Sequence, residues 1–288
     1  MPVGLHSMTC DVQPKALSFP FPHARIGRAL VDCCSFVEAA NAIAHHAARR
    51  GSPACVVTPN AQHIVLLESD ACLREAYANA DLVVADGAAL LFASGLLREK
   101  LPERVTGIDL FERLCGRAAE LGLRVFLLGG RPGSAERAAE KLRQKFPCLS
   151  VAGTCCPPLG FERDEQELRA IDDTIRAAQP DLLFVALGAP KQEVWMHEHG
   201  RRLGVPALIG VGGSFEIVGG LLPRAPRLLQ RLGCEWLYRL LREPGRLWKR
   251  YLIGNGRFLW IILQQAGQRW RPSSEPDASV PVPRICGP

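Results

Sequence analysis

Asp86 is the residue whose position most invites chemistry. It closes the apolar run DLVVAD (81–86) and is followed by Gly87. A carboxylate at the end of a buried strand can take a proton in a dry cleft. It can equally cap the helix that follows, and the residues alone leave both readings open. Other polar and glycine residues fall at equivalent places. Thr58 and Asn60 follow ACVVT (54–58); Gly129, Gly130 and Gly133 follow RVFLL (124–128). Gly188, Lys191 and Gln192 follow DLLFVAL (181–187), and Gly212, Gly213 and Ser214 follow ALIGV (207–211). The segment GGRPGS (129–134) could bring backbone N–H groups to a phosphate at a helix N-terminus. It matches neither G-x-G-x-x-G nor a P-loop, and a plain tight turn explains it as well. Arg104, in a loop after Pro102 and Glu103, could grip a diphosphate or lie on the surface. His197 and His199 straddle Glu198 at a spacing that points them apart on a helix, so they do not form H-E-x-x-H. There is no D-x-D and no C-x-x-C. The expectation is no metal site and no cofactor.

These residues need a scaffold that gathers strand ends on one side. The chain alternates short continuous apolar runs with helical patterns, as an α/β domain does when both faces of a parallel sheet are covered. Ser35 with Glu38 and Thr106 with Asp109 read as capping boxes that start two of the helices. In such folds ligands bind beyond the strand C-termini. The predicted fold is a Rossmann-like parallel sheet with helices on both faces, plus a C-terminal helical membrane-binding appendage.

Of 288 residues, 48% are hydrophobic, and the net charge is +6. The charge is unevenly placed. Between Arg224 and Arg271 there are eleven Lys or Arg against Glu235 and Glu243, a net of +9, which leaves the remainder slightly acidic. Four of the five Trp lie after position 235. Basic residues interleaved with Trp and Leu suit an anionic, oily interface. No apolar run reaches spanning length, and the N-terminus lacks the pattern of an export signal. Eleven cysteines without metal spacing read as reduced thiols in a cytoplasmic protein. The expected organisation is a loose tail at 1–25, an α/β domain at 26–220, a basic amphipathic appendage at 221–271 and a disordered tail at 272–288. Two other classes fit parts of this pattern: a dinucleotide-dependent oxidoreductase, and a nucleic-acid binder using the basic tail. The missing G-x-G-x-x-G weighs against the first and the Leu/Trp content of the tail against the second.

Taken in order, TPN (58–60), ADG (85–87), RVTGID (104–109), G-x-P-KQE (188–193), RAP (224–226) and EWLYR (235–239) resemble the WecG/TagA/CpsF family, glycosyltransferase family 26. The resemblance runs from about Ile26 to Tyr251. It implies an inverting, metal-independent enzyme that moves a sugar from a UDP-sugar donor to a polyprenyl diphosphate-linked sugar acceptor. The implied location is the anionic inner face of a bacterial inner membrane, with no nucleic acid partner and with a possible homo-oligomer. N-acetylmannosamine, its uronic acid and glucose are the donor sugars in that family. By motif position Asp86 becomes the catalytic base. Thr58, Asn60, Gly87, Arg104, Gly129, Gly130, Lys191, Gln192, Glu193, Gly212 and Arg224 become substrate-binding, and Arg231, Arg239, Arg242, Arg246 and Arg250 meet the lipid diphosphate and membrane. Glu216 stands where the family usually has Asp, and Leu229 where an aromatic often follows RAP.

Overall fold

The computed structural model describes residues 19–231, 233–242 and 244–269. Most of the two tails, 1–18 and 270–288, therefore lies outside the described residues. The chain opens with an antiparallel hairpin, β1 (His23–Ile26) and β2 (Ala29–Asp32), then α1 (Phe36–Ala48). β3 (Ala54–Val57), α2 (Ala61–Ser69), α3 (Ala71–Ala78), β4 (Leu82–Val83), α4 (Ala88–Leu96) and α5 (Gly107–Leu121) follow. Next come β5 (Arg124–Gly129), α6 (Ser134–Lys145), β6 (Ser150–Cys155), α7 (Glu165–Ala178), β7 (Leu182–Ala186), α8 (Lys191–Leu203), β8 (Ala207–Gly210) and α9 (Ser214–Val218). Three helices end the chain: α10 (Arg227–Arg231), α11 (Glu235–Arg242) and α12 (Pro244–Arg269).

Six strands form one parallel sheet in the order β4-β3-β8-β7-β5-β6. The α/β expectation is met. Successive strand residues point to opposite faces, and both faces are apolar here. Val125, Leu127 and Phe184 join a core with α1, α5 and α6. Phe126, Leu128 and Val185 join another with α2, α3, α4, α7 and α8. That double burial is why the strands read as continuous apolar runs.

Local signals hold at several helix starts. Ser35 and Glu38 make a complete capping box. Thr106 Oγ accepts from the Asp109 N–H at 3.1 Å, but the Asp109 carboxylate accepts from the Thr106 hydroxyl and Arg224 instead of the Thr106 N–H, so only half of that box forms. His23–Arg25 fall in the segment expected as a tail, yet they form β1. His23 pairs with Asp32 across the hairpin, its Nδ1 3.0 Å from the buried carboxylate, which also ties the hairpin to the body by accepting from the Val83 N–H at 2.7 Å. Burial pushes the Asp32 carboxyl up and, with the Asp32 charge, pushes the Cys34 thiol to about 12.

The second half of α12 is bolted to the α/β body. Phe258, Ile262 and Ala266 are buried in the α2 face of the core. The Gln265 side chain accepts from the Gly27 N–H at 2.8 Å and donates to the Arg25 carbonyl at 2.9 Å. A body cut at residue 220 loses this cover. Phe258→Ala is therefore expected to destabilise the whole fold by about 3 kcal/mol. Leu259→Ala, on the exposed side of the same turn, should change it by less than about 0.5 kcal/mol. Urea denaturation of the full chain checks both; equal effects would mean that this helix is not part of the core.

Candidate active site

The two ends of the sheet differ in what their carboxylates do. At the N-terminal end, Asp81 accepts from the Cys55 N–H and Asp181 from the Arg124 N–H, each at 2.8 Å. These buried acids are committed to strand starts. At the C-terminal end, Asp86, Asp109, Glu193, Glu216 and Glu235 gather around glycine turns and arginines.

Asp86 is half-buried. Its N–H donates to the Pro59 carbonyl at 2.7 Å, which hangs it on the loop after β3. Gly87 has φ +118°, a conformation side chains rarely adopt, and sits against Asn60. Asn60 caps α2, accepting from the Gln62 N–H at 3.0 Å, and remains partly exposed. Thr58 is buried instead; its hydroxyl donates to the Gly210 carbonyl at 2.9 Å and ties β3 to β8. The Val105 N–H donates to the Ala85 carbonyl at 2.9 Å, so the Arg104 loop is laced to the strand end that carries Asp86.

Gly129 and Gly130 end β5. At Gly129, φ +98°, a Cβ would come within 2.7 Å of the Ala186 carbonyl, so no side chain fits. The Arg131 N–H donates to Glu216 Oε1 at 3.0 Å, while Glu216 Oε2 is buried without a hydrogen-bond partner. Cys156 Sγ is 3.4 Å from the Gly130 carbonyl; burial, then Glu136 and Glu216, raise its thiol. Gln192 is buried, and its Oε1 accepts from the Gly212 N–H at 3.1 Å. Glu193 is buried beside it, accepting from Gln192 Nε2 at 2.7 Å and lying 3.2 Å from His63 Nε2. Lys191 turns to a different partner. It pairs with Glu162 at 2.7 Å and holds that carboxyl below its ordinary value.

The C-terminal segment crosses this edge. Glu235, at the start of α11, lies 3.3 Å from Arg104 Nη1 and 3.8 Å from Arg224 Nε. Arg104 Nη2 also donates to the Gln230 carbonyl at 3.1 Å, and Arg224 Nη2 lies 2.6 Å from Asp109 Oδ1. Gly233, φ +70°, presses on the first residue of α4, and a Cβ there would overlap Ala88. Arg242 is exposed with its guanidinium 5.5 Å from the Tyr238 ring. The side chains of Arg231, Arg239, Arg246 and Arg250 lie outside the described residues.

The motif residues thus separate into two sets. Asp86, Gly87, Asn60, Arg104, Gly130, Gly212 and Arg224 line the open edge, whereas Thr58, Gly129, Gln192 and Glu193 are buried beneath it. Sequence reasoning missed His63, Asp109 and Glu235 as site residues. Glu235 left a signal, being one of two acids in a segment of eleven cations. His199 lies 3.4 Å from Asp172 under Trp195, and burial, then Arg202, lower its pKa. Among the described residues no group of three or more His, Cys, Asp or Glu is placed to hold a metal ion.

Comparison with known proteins follows the same residues. The family model described as Glycosyl transferase WecG/TagA/CpsF family matches residues 24–272. One relative, from Bacillus spizizenii, is named N-acetylglucosaminyldiphosphoundecaprenol N-acetyl-beta-D-mannosaminyltransferase. It is 35% identical over 174 residues, which cover 60% of this chain and 65% of the relative.

Partly buried ion pairs are costly to break from one side, because the other charge is left unmatched. Glu235→Ala takes the shared carboxylate from Arg104 and Arg224 and leaves them the Gln230 carbonyl and Asp109 alone. Hydrogen exchange across residues 227–242 should then speed up by about tenfold or more. Unchanged exchange would show that the arginines do not hold this segment.

Proposed function

The chain belongs to the WecG/TagA/CpsF glycosyltransferase family, and from that premise we propose that it transfers a hexosyl residue of the N-acetylmannosamine type. The donor is a UDP-sugar. The acceptor is N-acetylglucosamine on a polyprenyl diphosphate, the acceptor named for the Bacillus relative. The observation that carries this reading is the convergence at one sheet edge of Asp86, Asn60, Arg104 and Arg224, with the C-terminal segment lying across them.

The chemistry then assigns itself. Asp86 takes the proton of the acceptor hydroxyl while that oxygen bonds to C1 of the donor sugar. The bond from C1 to UDP breaks on the opposite face, and its electron pair leaves with the diphosphate. An α-linked donor inverted in this way gives a β product, the linkage in the relative's name. The developing charge on UDP is met by guanidinium groups. Arg104 and Arg224 both pair with Glu235 at this edge, and the acceptor's own diphosphate competes with Glu235 for them.

The acceptor's tail stays in a bilayer, so the enzyme works at its surface. Among the described residues no helix is long and apolar enough to cross a membrane. Trp236, Leu237, Leu241, Trp248, Trp260 and Leu263 on α11 and α12 are exposed. With the surrounding Arg and Lys they suit shallow burial in an anionic headgroup layer. Each cation near such a surface adds about 1 kcal/mol.

A UDP-release assay over a panel of UDP-sugars, with a polyprenyl diphosphate-linked N-acetylglucosamine acceptor, tests the reading. UDP-N-acetylmannosamine is expected to give the fastest release, and no release with any donor would refute it. Asp86→Asn should lower kcat by about 100-fold with UDP affinity unchanged; a folded variant turning over at the wild-type rate removes Asp86 from the chemistry. Chelator should leave the initial rate unchanged. Loss of rate restored by Mn²⁺ or Mg²⁺ would put a metal on the donor diphosphate.

A further inference from the structure

One peptide unit under the cleft is gripped from both sides. The carbonyl of Pro59 accepts the Asp86 N–H at 2.7 Å. The N–H of the same peptide, contributed by Asn60, donates to Nδ1 of His63 at 3.2 Å. A trans peptide is planar, with its C=O and N–H pointing in opposite directions. Tilting this one loses both bonds together, so whatever fixes His63 also fixes the backbone of Asp86.

His63 is itself fixed. It is 4% exposed, at the third position of α2, where a capping box ordinarily has Glu or Gln. Because Nδ1 accepts from a backbone N–H, it carries no proton, and the neutral ring bears its hydrogen on Nε2. Nε2 then donates to Glu193 Oε1, 3.2 Å away. Glu193 is 1% exposed, and the same oxygen accepts from Gln192 Nε2 at 2.7 Å. Gln192 Oε1 accepts from the Gly212 N–H at 3.1 Å, which sets the orientation of its amide. The relay thus joins the loops after β3, β7 and β8. Tyr77 packs beside it, its ring 6.4 Å from that of His63, and burial, then the Glu193 charge, raise its phenol well above the ordinary value.

We propose that His63, anchored on Glu193, is a positioning residue for the base: it holds the Pro59–Asn60 peptide at the tilt that aims Asp86 into the cleft. The proposal deepens the transferase reading above and rests on it for its kinetic part. His63 touches neither substrate, and its effect reaches the reaction through the backbone of Asp86.

Three substitutions separate the two arms of the imidazole. His63→Asn keeps an acceptor where Nδ1 stands and loses the donor to Glu193. His63→Lys keeps a donor toward Glu193 and offers Asn60 no acceptor. His63→Leu removes both. Two readouts apply to each full-length variant: exchange protection of the Asp86 amide, and kcat and donor KM by UDP release. In His63→Leu the Asp86 amide should lose about tenfold in protection. Its kcat should fall by about 10- to 100-fold, the cost of a small misplacement, with donor KM unchanged. His63→Asn should keep more of both than His63→Lys. If the Leu variant does not fold, the order of the Asn and Lys variants decides. Unaltered Asp86 protection in the Leu variant, or Asn performing no better than Lys, overturns the proposal. A wild-type enzyme that releases no UDP from any donor overturns the transferase reading instead, and the exchange measurement still decides the role of His63.

Discussion

A parallel sheet leaves unpaired backbone at both of its ends, and this protein treats the two ends in opposite ways. At the N-terminal end, buried carboxylates of Asp81 and Asp181 take up the N–H groups at the starts of β3 and β5. Those acids are spent on the fold, since a buried donor left unpaired costs more than a bond gains. At the C-terminal end the strands run out into glycine turns and helix N-termini, where donors and half-exposed acids stay within reach of a ligand. The polarity of the sheet decides where chemistry can occur, and the rest of the molecule closes that one edge.

Closure comes from the segment after Pro223, and charge holds it. Glu235 stands between Arg104 and Arg224, and Asp109 takes the other side of Arg224. The segment returns to the body through Phe258, Ile262 and Ala266. Its two ends are therefore fastened, by ion pairs at the cleft and by apolar packing against α2. Between them lie exposed Trp and Leu residues. A bilayer contact there would act directly on the stretch that covers Arg104 and the start of α4.

Much of the fold was legible because apolar runs of four to six residues, each followed by a helical period, have few other uses. Strand ends then located Asp86, Asn60 and the glycine turns without any three-dimensional information. Three features were not legible. The β1 strand pairs with β2 in a short hairpin, and what ties that hairpin to the body, Asp32 on Val83 and Gln265 on Gly27, is long-range and has no local pattern. Gln192 and Glu193 sit in a motif that reads as ligand-facing, but packing turns both inward under the cleft. His63 carries no local signal in α2, and its role exists only because α8 delivers Glu193 to it. Periodicity reports which face is buried; it carries no information about which buried polar groups meet.

The central claim is that the cleft at this edge brings an acceptor hydroxyl to Asp86 while arginines hold the diphosphate. A structure of the full chain with UDP and a short-chain diphosphate-linked N-acetylglucosamine measures this directly. The account predicts an acceptor hydroxyl within about 3.2 Å of an Asp86 carboxylate oxygen. It also predicts Arg104 or Arg224 turned from Glu235 onto phosphate oxygens. A diphosphate bound away from both arginines, with no sugar hydroxyl near Asp86, would contradict it.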